Sequence, residues 1–183
     1  MLKPRPYDEV ILVDECDTAL GVAAKEPAHS GGGQLHRAFS ILIYNRAGEM
    51  LLQRRAREKY HFAGLWTNAC CSHPQLGETL NASARRRLQE EFGFDVELAE
   101  LFTFIYRAHD YASGLTEHEL DHVLRGEFND TPHPDPAEIS DWKWIQPAAL
   151  LLDLSENPGR YTPWFRELMG RLPIDDTVLT LEG

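Results

Sequence analysis

Apolar and polar side chains alternate over much of this chain, which predicts mainly β-strands. The predicted strands cover residues 9–14, 35–44, 49–55, 66–71, 94–106 (as one or two strands), 118–128 and the segment of Trp142 and Trp144. Asn45-Arg-Ala-Gly48 has the composition of a turn, so the second and third strands should form a hairpin. We expect a turn near residues 17–21 and an irregular loop over residues 25–34, which contain three consecutive glycines.

One longer segment has helical periodicity. Ala84, Leu88 and Phe92 are spaced four residues apart, which predicts a helix over residues 82–92 that ends at Gly93. Two further helices, each with proline near its first turn, are predicted at residues 147–154 and 163–169. The segment after Pro173 predicts no element.

These elements favour an α+β fold in which a mixed or antiparallel sheet is flanked by helices, because strands outnumber helices and most connections are short. A length of 183 residues fits a single domain over residues 1–183. We expect its core at about residues 8–170, with short N- and C-terminal extensions.

Composition excludes several classes of function. The chain has 18 Lys and Arg against 29 Asp and Glu, a net charge of −11, which argues against a nucleic-acid-binding surface but not against a small anionic ligand. No apolar run approaches the roughly 20 residues that span a membrane. Three cysteines, two of them adjacent, make a poor disulfide framework and suit the cytoplasm. Nothing indicates an obligate dimer, so we expect a monomer.

Residues 72–94 contain a pattern of acidic and basic residues that can bind a diphosphate through a metal ion. The matching positions are Glu78, Arg86, Leu88, Glu90, Glu91, Gly93 and Phe94. The spacing resembles the Nudix box, in which carboxylates at one end of a helix hold a hard divalent ion. Two positions depart from that pattern: Ser72 replaces its first glycine, and Arg87 replaces a glutamate of the hydrolytic set. The second change argues against an ordinary Nudix hydrolase.

Several further blocks point to one branch of the Nudix superfamily. They are Leu35-His-Arg-Ala-Phe39, Leu52-Gln-Arg-Arg-Ala56, the segment from Trp66 to Glu78, Tyr106-Arg-Ala108, Glu117-His-Glu119 and Thr162-Pro-Trp164. In this order they resemble type I isopentenyl-diphosphate Δ-isomerases over roughly residues 8–168. The resemblance implies a Nudix fold and an isomerase of isoprenoid biosynthesis, which interconverts isopentenyl and dimethylallyl diphosphate by protonation and deprotonation.

The resemblance also implies two metal sites. The first contains His29, His36, His73, Glu117 and Glu119. Glu117 and Glu119 are two residues apart on a predicted strand and should share one face, whereas His118 should point away. Three imidazoles and two carboxylates suit Mn²⁺, which we favour, or Zn²⁺ or Fe²⁺. The second site is Glu91, which would bind Mg²⁺ together with the substrate's diphosphate.

The catalytic residues implied by the resemblance are Cys71, Glu119 and Tyr106. Cys70 should face the opposite side of its strand and take no part. Trp164 would stack over the carbon skeleton of the substrate, where positive charge develops. The diphosphate contacts would be Arg55, Lys59 and Arg87, although a cluster of cations can also be an ordinary charged loop.

Other interpretations of single residues stay open at this level. A free cysteine is most often a buried small apolar residue, and Tyr106 and Trp164 could simply pack in a core. Asn68 and nearby cations could lower the pKa of the Cys71 thiol. The remaining histidines without an assigned role are His61, His109, His122 and His133.

Three rival functions are also consistent with parts of the pattern. A Nudix hydrolase acting on nucleoside diphosphate derivatives would not need Cys71, the three histidines or Trp164. A noncatalytic Nudix-like module would bind diphosphate but would leave Cys71 and Glu119 without a purpose. A metal-binding scaffold would not explain the cluster of cations.

Overall fold

Nine strands form one curled sheet, and four helices pack on it. In the computed structural model, which describes residues 9–59 and 61–172, the strands are β1 (Glu9–Val13), β2 (Ala19–Ala24), β3 (His36–Tyr44), β4 (Met50–Arg55), β5 (Trp66–Asn68), β6 (Cys70–Ser72), β7 (Ala99–Asp110), β8 (Leu115–Glu127) and β9 (Ile139–Ile145). The helices are α1 (Lys25–His29), α2 (Leu80–Phe92), α3 (Pro147–Glu156) and α4 (Pro163–Arg171), with a 3₁₀ turn at Pro158–Arg160. This mixed sheet with flanking helices confirms the predicted α+β fold.

Strand β3 brings distant parts of the sequence together. It pairs in parallel with β8 along its whole length, so that His36 lies beside Glu119. It also pairs antiparallel with β6, so that Ser40 lies beside Cys71. Glu117, Glu119 and the predicted catalytic Cys71 therefore lie on strands that adjoin the same central strand, which itself carries His36.

The sheet has an apolar layer on each face. Leu42 and Tyr44 of β3 pack in a cluster with residues of α4, whereas Ile41 and Ile43 pack in a second cluster with residues of α2. All four side chains are buried, and full burial of such a side chain contributes roughly 1.5–3 kcal/mol. The strand is thus fixed on both faces, which makes it a rigid support for the polar residues at its ends.

Helix α2 ends where the sequence predicts but begins earlier. Gly93 has φ = 76°, a left-handed conformation, and a Cβ there would lie 2.9 Å from the carbonyl oxygen of His133. At the other end the Thr79 hydroxyl accepts the N–H of Ala82 at 3.2 Å. This cap adds Leu80 and Asn81 to the predicted helix.

The prediction of a turn near residues 17–21 and an irregular loop over residues 25–34 is partly wrong. A turn is present and includes Asp17 at φ = 64°, but it is followed by strand β2. Strand β2 is almost entirely exposed, so it lacks the alternation on which the prediction rests. The predicted loop begins with helix α1, whose five residues are too few for a recognisable helical period.

The predicted strands also need correction at their ends. The turn after β3 forms as expected, with the Asn45 side chain accepting the N–H groups of Ala47 and Glu49, but β3 pairs with β4 at Tyr44 and Met50 alone. Strand β4 then diverges and pairs with β5 and β9. The predicted strand at residues 66–71 is two strands, β5 and β6. Strand β7 begins only at residue 99.

The single domain over residues 1–183 stays a prediction. That prediction covers segments, including the tail after Pro173, that lie outside the described residues. Within residues 9–59 and 61–172, no helix is long and apolar enough to cross a membrane.

Candidate active site

Five side chains converge beside the start of β3 in an arrangement suited to a metal ion. They are His29 at the end of α1, His36 at the start of β3, His73 just after β6, and Glu117 and Glu119 on β8. Their ligand atoms all lie within 4.8 Å of one another, and every member except the half-buried His73 is buried. The structure therefore brings together the whole predicted set.

The backbone fixes the protonation of two of these histidines. His29 Nδ1 lies 2.6 Å from the Lys25 carbonyl oxygen, and His36 Nδ1 lies 2.8 Å from that of Gln34. A carbonyl oxygen can only accept, so each Nδ1 carries a hydrogen. In the neutral ring the lone pair is then on Nε2, which in both residues faces the cluster. Outer hydrogen bonds of this kind orient histidine ligands in metal sites.

The Nε2 atoms of His36 and His73 lie close to each other and to a carboxylate oxygen of Glu119, so these ligand atoms converge as a metal site requires. His36 Nε2 is 3.1 Å from His73 Nε2, and these two atoms lie 3.4 Å and 2.9 Å from Glu119 Oε1. Burial lowers the pKa of His73 to about 3, so its imidazole is neutral. Nitrogen lone pairs and carboxylate oxygens converge here, and this donor set fits a divalent transition metal.

The two carboxylates of the cluster are ionised. Burial raises the pKa of Glu117, but the contacting imidazoles of His29 and His61 outweigh it and hold that pKa well below its usual value. Burial and the charge of Glu117 likewise raise the pKa of Glu119, and the contacting imidazoles of His36 and His73 bring it below its usual value. The cluster thus carries negative charge that a divalent cation would neutralise.

Glu119 is also joined to the predicted Tyr106. The Tyr106 hydroxyl donates to Glu119 Oε2 at 2.5 Å, while Oε1 faces the histidines. Burial raises the pKa of Tyr106 well above its usual value, so the phenol keeps its proton. The two oxygens of Glu119 therefore have different surroundings.

Cys71 lies in a polar setting at the other side of β3. Its thiol donates to Asn68 Oδ1 at 2.9 Å, and the indole N–H of Trp164 donates to its sulfur at 3.0 Å. The Asn68 amide is held in turn, because its nitrogen donates to the carbonyl oxygens of Ile41 and Cys70. The orientation of the thiol is thus set by groups on β5 and α4, and the first of these is held by β3 and β6.

The suggestion that Asn68 and nearby cations could lower the pKa of the Cys71 thiol is not borne out by the structure. Burial and the charge of Asp121 raise that pKa to about 12, although hydrogen bonds from Ser40 and Trp164 oppose the rise. The thiol is therefore protonated at neutral pH. The positive charge of Arg55 also opposes the rise, but burial prevails.

One narrow cavity joins these parts. It measures about 70 Å³, and Cys71, Glu119, Tyr106 and Trp164 all contribute to its wall. The remaining lining residues are Lys25, Arg55, Lys59, His61, Ser72, His73, Arg87, Glu91 and Glu117. Predicted proton-transfer groups and predicted diphosphate contacts thus face the same space.

The cations of the cavity are held by acidic partners. Arg87 pairs with Glu91 at 2.5 Å, and Lys59 pairs with Glu138. The Arg55 guanidinium lies 5.3 Å from the centre of the Trp164 ring. Lys25 is a further cation that the sequence analysis missed; it lies on the short helix α1, which was predicted as a loop.

The three glutamates of the Nudix-like segment make different contacts. Glu78 binds Arg86 through two hydrogen bonds of 2.9 Å and 2.8 Å, and Glu90 also pairs with Arg86. Glu91 is buried and faces the cavity. It is the residue of this helix best placed to act on a ligand there.

Comparison with known proteins identifies the same family that the sequence motifs resemble. The NUDIX domain family matches residues 34–165. The chain is 47% identical to an isopentenyl-diphosphate Δ-isomerase of Halorhodospira halophila, over 92% of this chain and 97% of that protein. It is 48% identical to one of Nocardia farcinica, over 87% and 91%. The chain belongs to the isopentenyl-diphosphate Δ-isomerase family of the Nudix superfamily.

Solved structures agree on the fold of this isomerase family member. DR0079 from Deinococcus radiodurans superposes with a TM-score of 0.73, covering 89% of this chain and 98% of its own at 21% identity. A MutT protein from Methanosarcina mazei gives a TM-score of 0.62 over 75% and 91%, at 19% identity. At such low identity these structures show the Nudix fold alone.

One buried residue of the isomerase site had no role in the sequence analysis. The His61 imidazole contacts the Glu117 carboxylate and lines the cavity. It lies on a loop with no periodicity, so its neighbours in space could not be inferred from spacing. The other residues without a role, including the exposed His133, are not among those lining the cavity.

Proposed function

We propose that Cys71 and Glu119 are the two proton-transfer groups with which this chain interconverts isopentenyl and dimethylallyl diphosphate. The observation that carries the proposal is the cavity whose wall contains Cys71, Glu119 and Trp164 together with several cations. Cys71 and Glu119 lie on β6 and β8, which both pair with β3. A substrate between them would meet one donor and one acceptor.

The reaction requires a proton donor held against the alkene and a dry site. One proton is added to the terminal alkene carbon, which leaves positive charge on the neighbouring tertiary carbon. Another proton leaves the CH₂ group on the far side of that carbon. An unactivated alkene is a weak base, so the proton donor must be held close to it. Water must be excluded from the positive centre, because water would react with it. The small cavity and the buried Trp164 support this requirement.

Each proton-transfer group is positioned by its neighbours. The Cys71 thiol is held between Asn68 and Trp164, and Glu119 is held by Tyr106 on one oxygen. Fixed geometry of this kind lowers the entropy cost of reaching the transition state. Tyr106 keeps its proton and so serves to orient Glu119 rather than to accept a proton.

The metal sites belong to the same proposal. His29, His36, His73, Glu117 and Glu119 would hold one divalent cation, for which we propose Mn²⁺, with Zn²⁺ and Fe²⁺ as alternatives. Glu91 would hold Mg²⁺ with the substrate's diphosphate. When bound, the first ion would fix Glu119 and balance its charge, and the second would neutralise phosphate oxygens.

The cations and Trp164 would bind the two ends of the substrate. Arg55, Lys59 and Arg87 face the cavity and would contact the diphosphate, as Lys25 could from α1. This gives Arg87 a reason to stand where hydrolases have glutamate. The Trp164 ring would stabilise the positive charge on carbon.

Magnitudes show that no single group is sufficient. A positioned acid or base gives roughly 10²–10⁴-fold, or about 3–5 kcal/mol. A desolvated contact between Trp164 and a cation adds about 2 kcal/mol or more. Positioning of the substrate through its diphosphate must supply much of the remainder.

The test is an assay of the purified protein with isopentenyl diphosphate, Mg²⁺ and Mn²⁺. We expect dimethylallyl diphosphate to appear, with no release of phosphate. A parallel panel of nucleoside diphosphate derivatives examines the hydrolase alternative. Hydrolysis of that panel without any isomerisation would overturn the proposal, and diphosphate binding without turnover would favour a binding module. The predictions of a monomer and of the cytoplasm are separate and are tested by gel filtration and cell fractionation.

A further inference from the structure

His61 contacts the metal cluster without being one of its five members. Its Nε2 atom pairs with Glu117 Oε1, while Glu117 Oε2 lies 3.0 Å from His29 Nε2. Because an ionised carboxylate can only accept hydrogen bonds, His61 Nε2 carries the hydrogen of this pair. One oxygen of Glu117 is therefore bonded to His61, and the other faces a metal-ligating histidine.

The loop that carries His61 is fixed from three sides. The Arg55 side chain donates to the His61 carbonyl oxygen at 3.2 Å. The next residue, Phe62, has φ = 47°, a conformation that non-glycine residues rarely adopt. Its N–H donates to Asp110 Oδ2 at 3.0 Å, and its ring meets that of Trp164 edge to face at 5.4 Å. A strained residue held by specific contacts on both sides indicates that the position of this loop matters.

The His61 ring is consequently confined between the cluster and the cavity. Its centre lies 6.0 Å from that of His29 and 6.4 Å from that of Trp164. The residue is 7% exposed. His61 is therefore not a surface histidine. Its polar contact with the metal cluster is made with Glu117.

We propose that His61 is a positioning residue that orients Glu117 for metal binding. The inference rests on the metal site proposed above and extends it to a residue on the loop between Arg55 and β5. Hydrogen-bond partners of metal ligands set the direction of the ligand atoms, and their loss typically weakens metal binding roughly 10–100-fold. His61 also joins the metal cluster to Arg55, one of the proposed diphosphate contacts.

The experiment measures Mn²⁺ binding rather than activity. Wild-type protein, H61A and H61Q are stripped of metal, and their affinity for Mn²⁺ is measured by competition with a chelator. H133A is the matched control, because His133 is an exposed histidine away from the cavity. We expect H61A to bind Mn²⁺ roughly 10–100-fold more weakly, and H133A to bind like the wild type.

H61Q separates positioning from packing. Its amide nitrogen occupies nearly the place of the histidine Nε2 and can donate to Glu117, so most of the affinity should return. Melting of the metal-free proteins shows whether each variant is folded. Wild-type Mn²⁺ affinity in folded H61A would overturn the inference, as would H61Q that binds no better than folded H61A. If H61A does not fold, H61Q decides: near-wild-type affinity supports the inference, and a loss of tenfold or more overturns it.

The outcome can be told apart from failure of the proposed function. Isomerase activity of the wild type tests that function by itself. An active wild type with unchanged Mn²⁺ binding in H61A would remove His61 from the account and leave the isomerase assignment intact. A wild type that binds no Mn²⁺ would contradict the metal site on which the inference rests.

Discussion

Cys70 and Cys71 are consecutive residues of one strand, yet they lie in different environments. Cys70 is fully buried in the apolar cluster beneath α2. Cys71 faces the opposite side, where it contacts Asn68 and Trp164 and lines the cavity. Burial raises the thiol pKa in both, so ionisation does not distinguish them. Access to the cavity does, and this access follows from the alternation of side chains along a strand.

Strand β8 repeats the same division. Glu117 and Glu119 face the histidine cluster, as their spacing predicts. His118 lies between them and points away, with Nδ1 3.2 Å from the Gly33 carbonyl oxygen. His122 on the same strand lies between Asp17 and Glu100. Which face a residue occupies therefore matters more for its chemistry than its type.

The largest effect should come from removing the thiol on the cavity face. Cys71→Ala should lower kcat roughly 10²–10⁴-fold, because it deletes one proton-transfer group. Cys70→Ala is the matched control: it should keep near-wild-type kcat and lose about 1 kcal/mol of stability from the core. Isomerisation rates and thermal melts of both variants check this. Equal kcat in the two variants would show that the cavity-facing and the core-facing cysteine do not differ in their contribution to catalysis.

A comparable loss is expected on β8. Glu119→Gln keeps the size of the side chain but removes its negative charge and its capacity to accept a proton, so kcat should fall about 10²-fold or more. His118→Gln, on the other face, should change kcat little. The measurement is kcat for isopentenyl diphosphate at saturating Mg²⁺ and Mn²⁺. An active Glu119→Gln enzyme would assign the second proton transfer to another group.

A smaller effect tests the contact between Trp164 and the thiol. Trp164→Phe keeps an aromatic ring but removes the N–H that donates to Cys71 at 3.0 Å. The loss of one such hydrogen bond at the reacting group should lower kcat roughly tenfold. Tyr161→Phe, in the same cluster but outside the cavity, provides a control for altered packing. An unchanged kcat in Trp164→Phe would show that the indole N–H takes no part in catalysis.

The smallest effect concerns pH. Burial lowers the pKa of Lys59 to about 8, so its positive charge is present below that pH and is lost as the pH rises through it. Since kcat/KM reports the free enzyme, it should decline with a midpoint near pH 8. Lys59→Arg should move the decline to higher pH, because guanidinium stays charged. The same midpoint in both proteins would remove Lys59 from diphosphate binding.

Periodicity accounts for what could be predicted. Alternation along buried strands located β3 and β8, and fourfold spacing with Gly93 located α2. The exposed strand β2 and the five-residue helix α1 carry no such signal, so both were missed. In the site, the chemistry of Glu117 and Glu119 could be inferred from spacing and resemblance. Lys25 and His61 could not, because tertiary contacts of short irregular segments bring them to the cavity.

The pKa of Cys71 illustrates a second limit. The sequence shows which polar residues are near the cysteine, and these indicated a lowered pKa. Only the folded structure shows that the thiol is enclosed and that the charge of Asp121 adds to the effect of burial. Desolvation then outweighs the hydrogen bonds. The balance of these two effects depends on packing, which residue spacing does not describe.

The most direct test of the account is the reaction in deuterated water with isopentenyl diphosphate, Mg²⁺ and Mn²⁺. If protein groups that exchange with solvent deliver the proton, deuterium should appear in a methyl group of dimethylallyl diphosphate, as detected by NMR or mass spectrometry. Cys71→Ala should give essentially none of this labelled product, and Cys70→Ala should give it at near the wild-type rate. Product formed without deuterium, or labelled product from Cys71→Ala at the wild-type rate, would contradict the account.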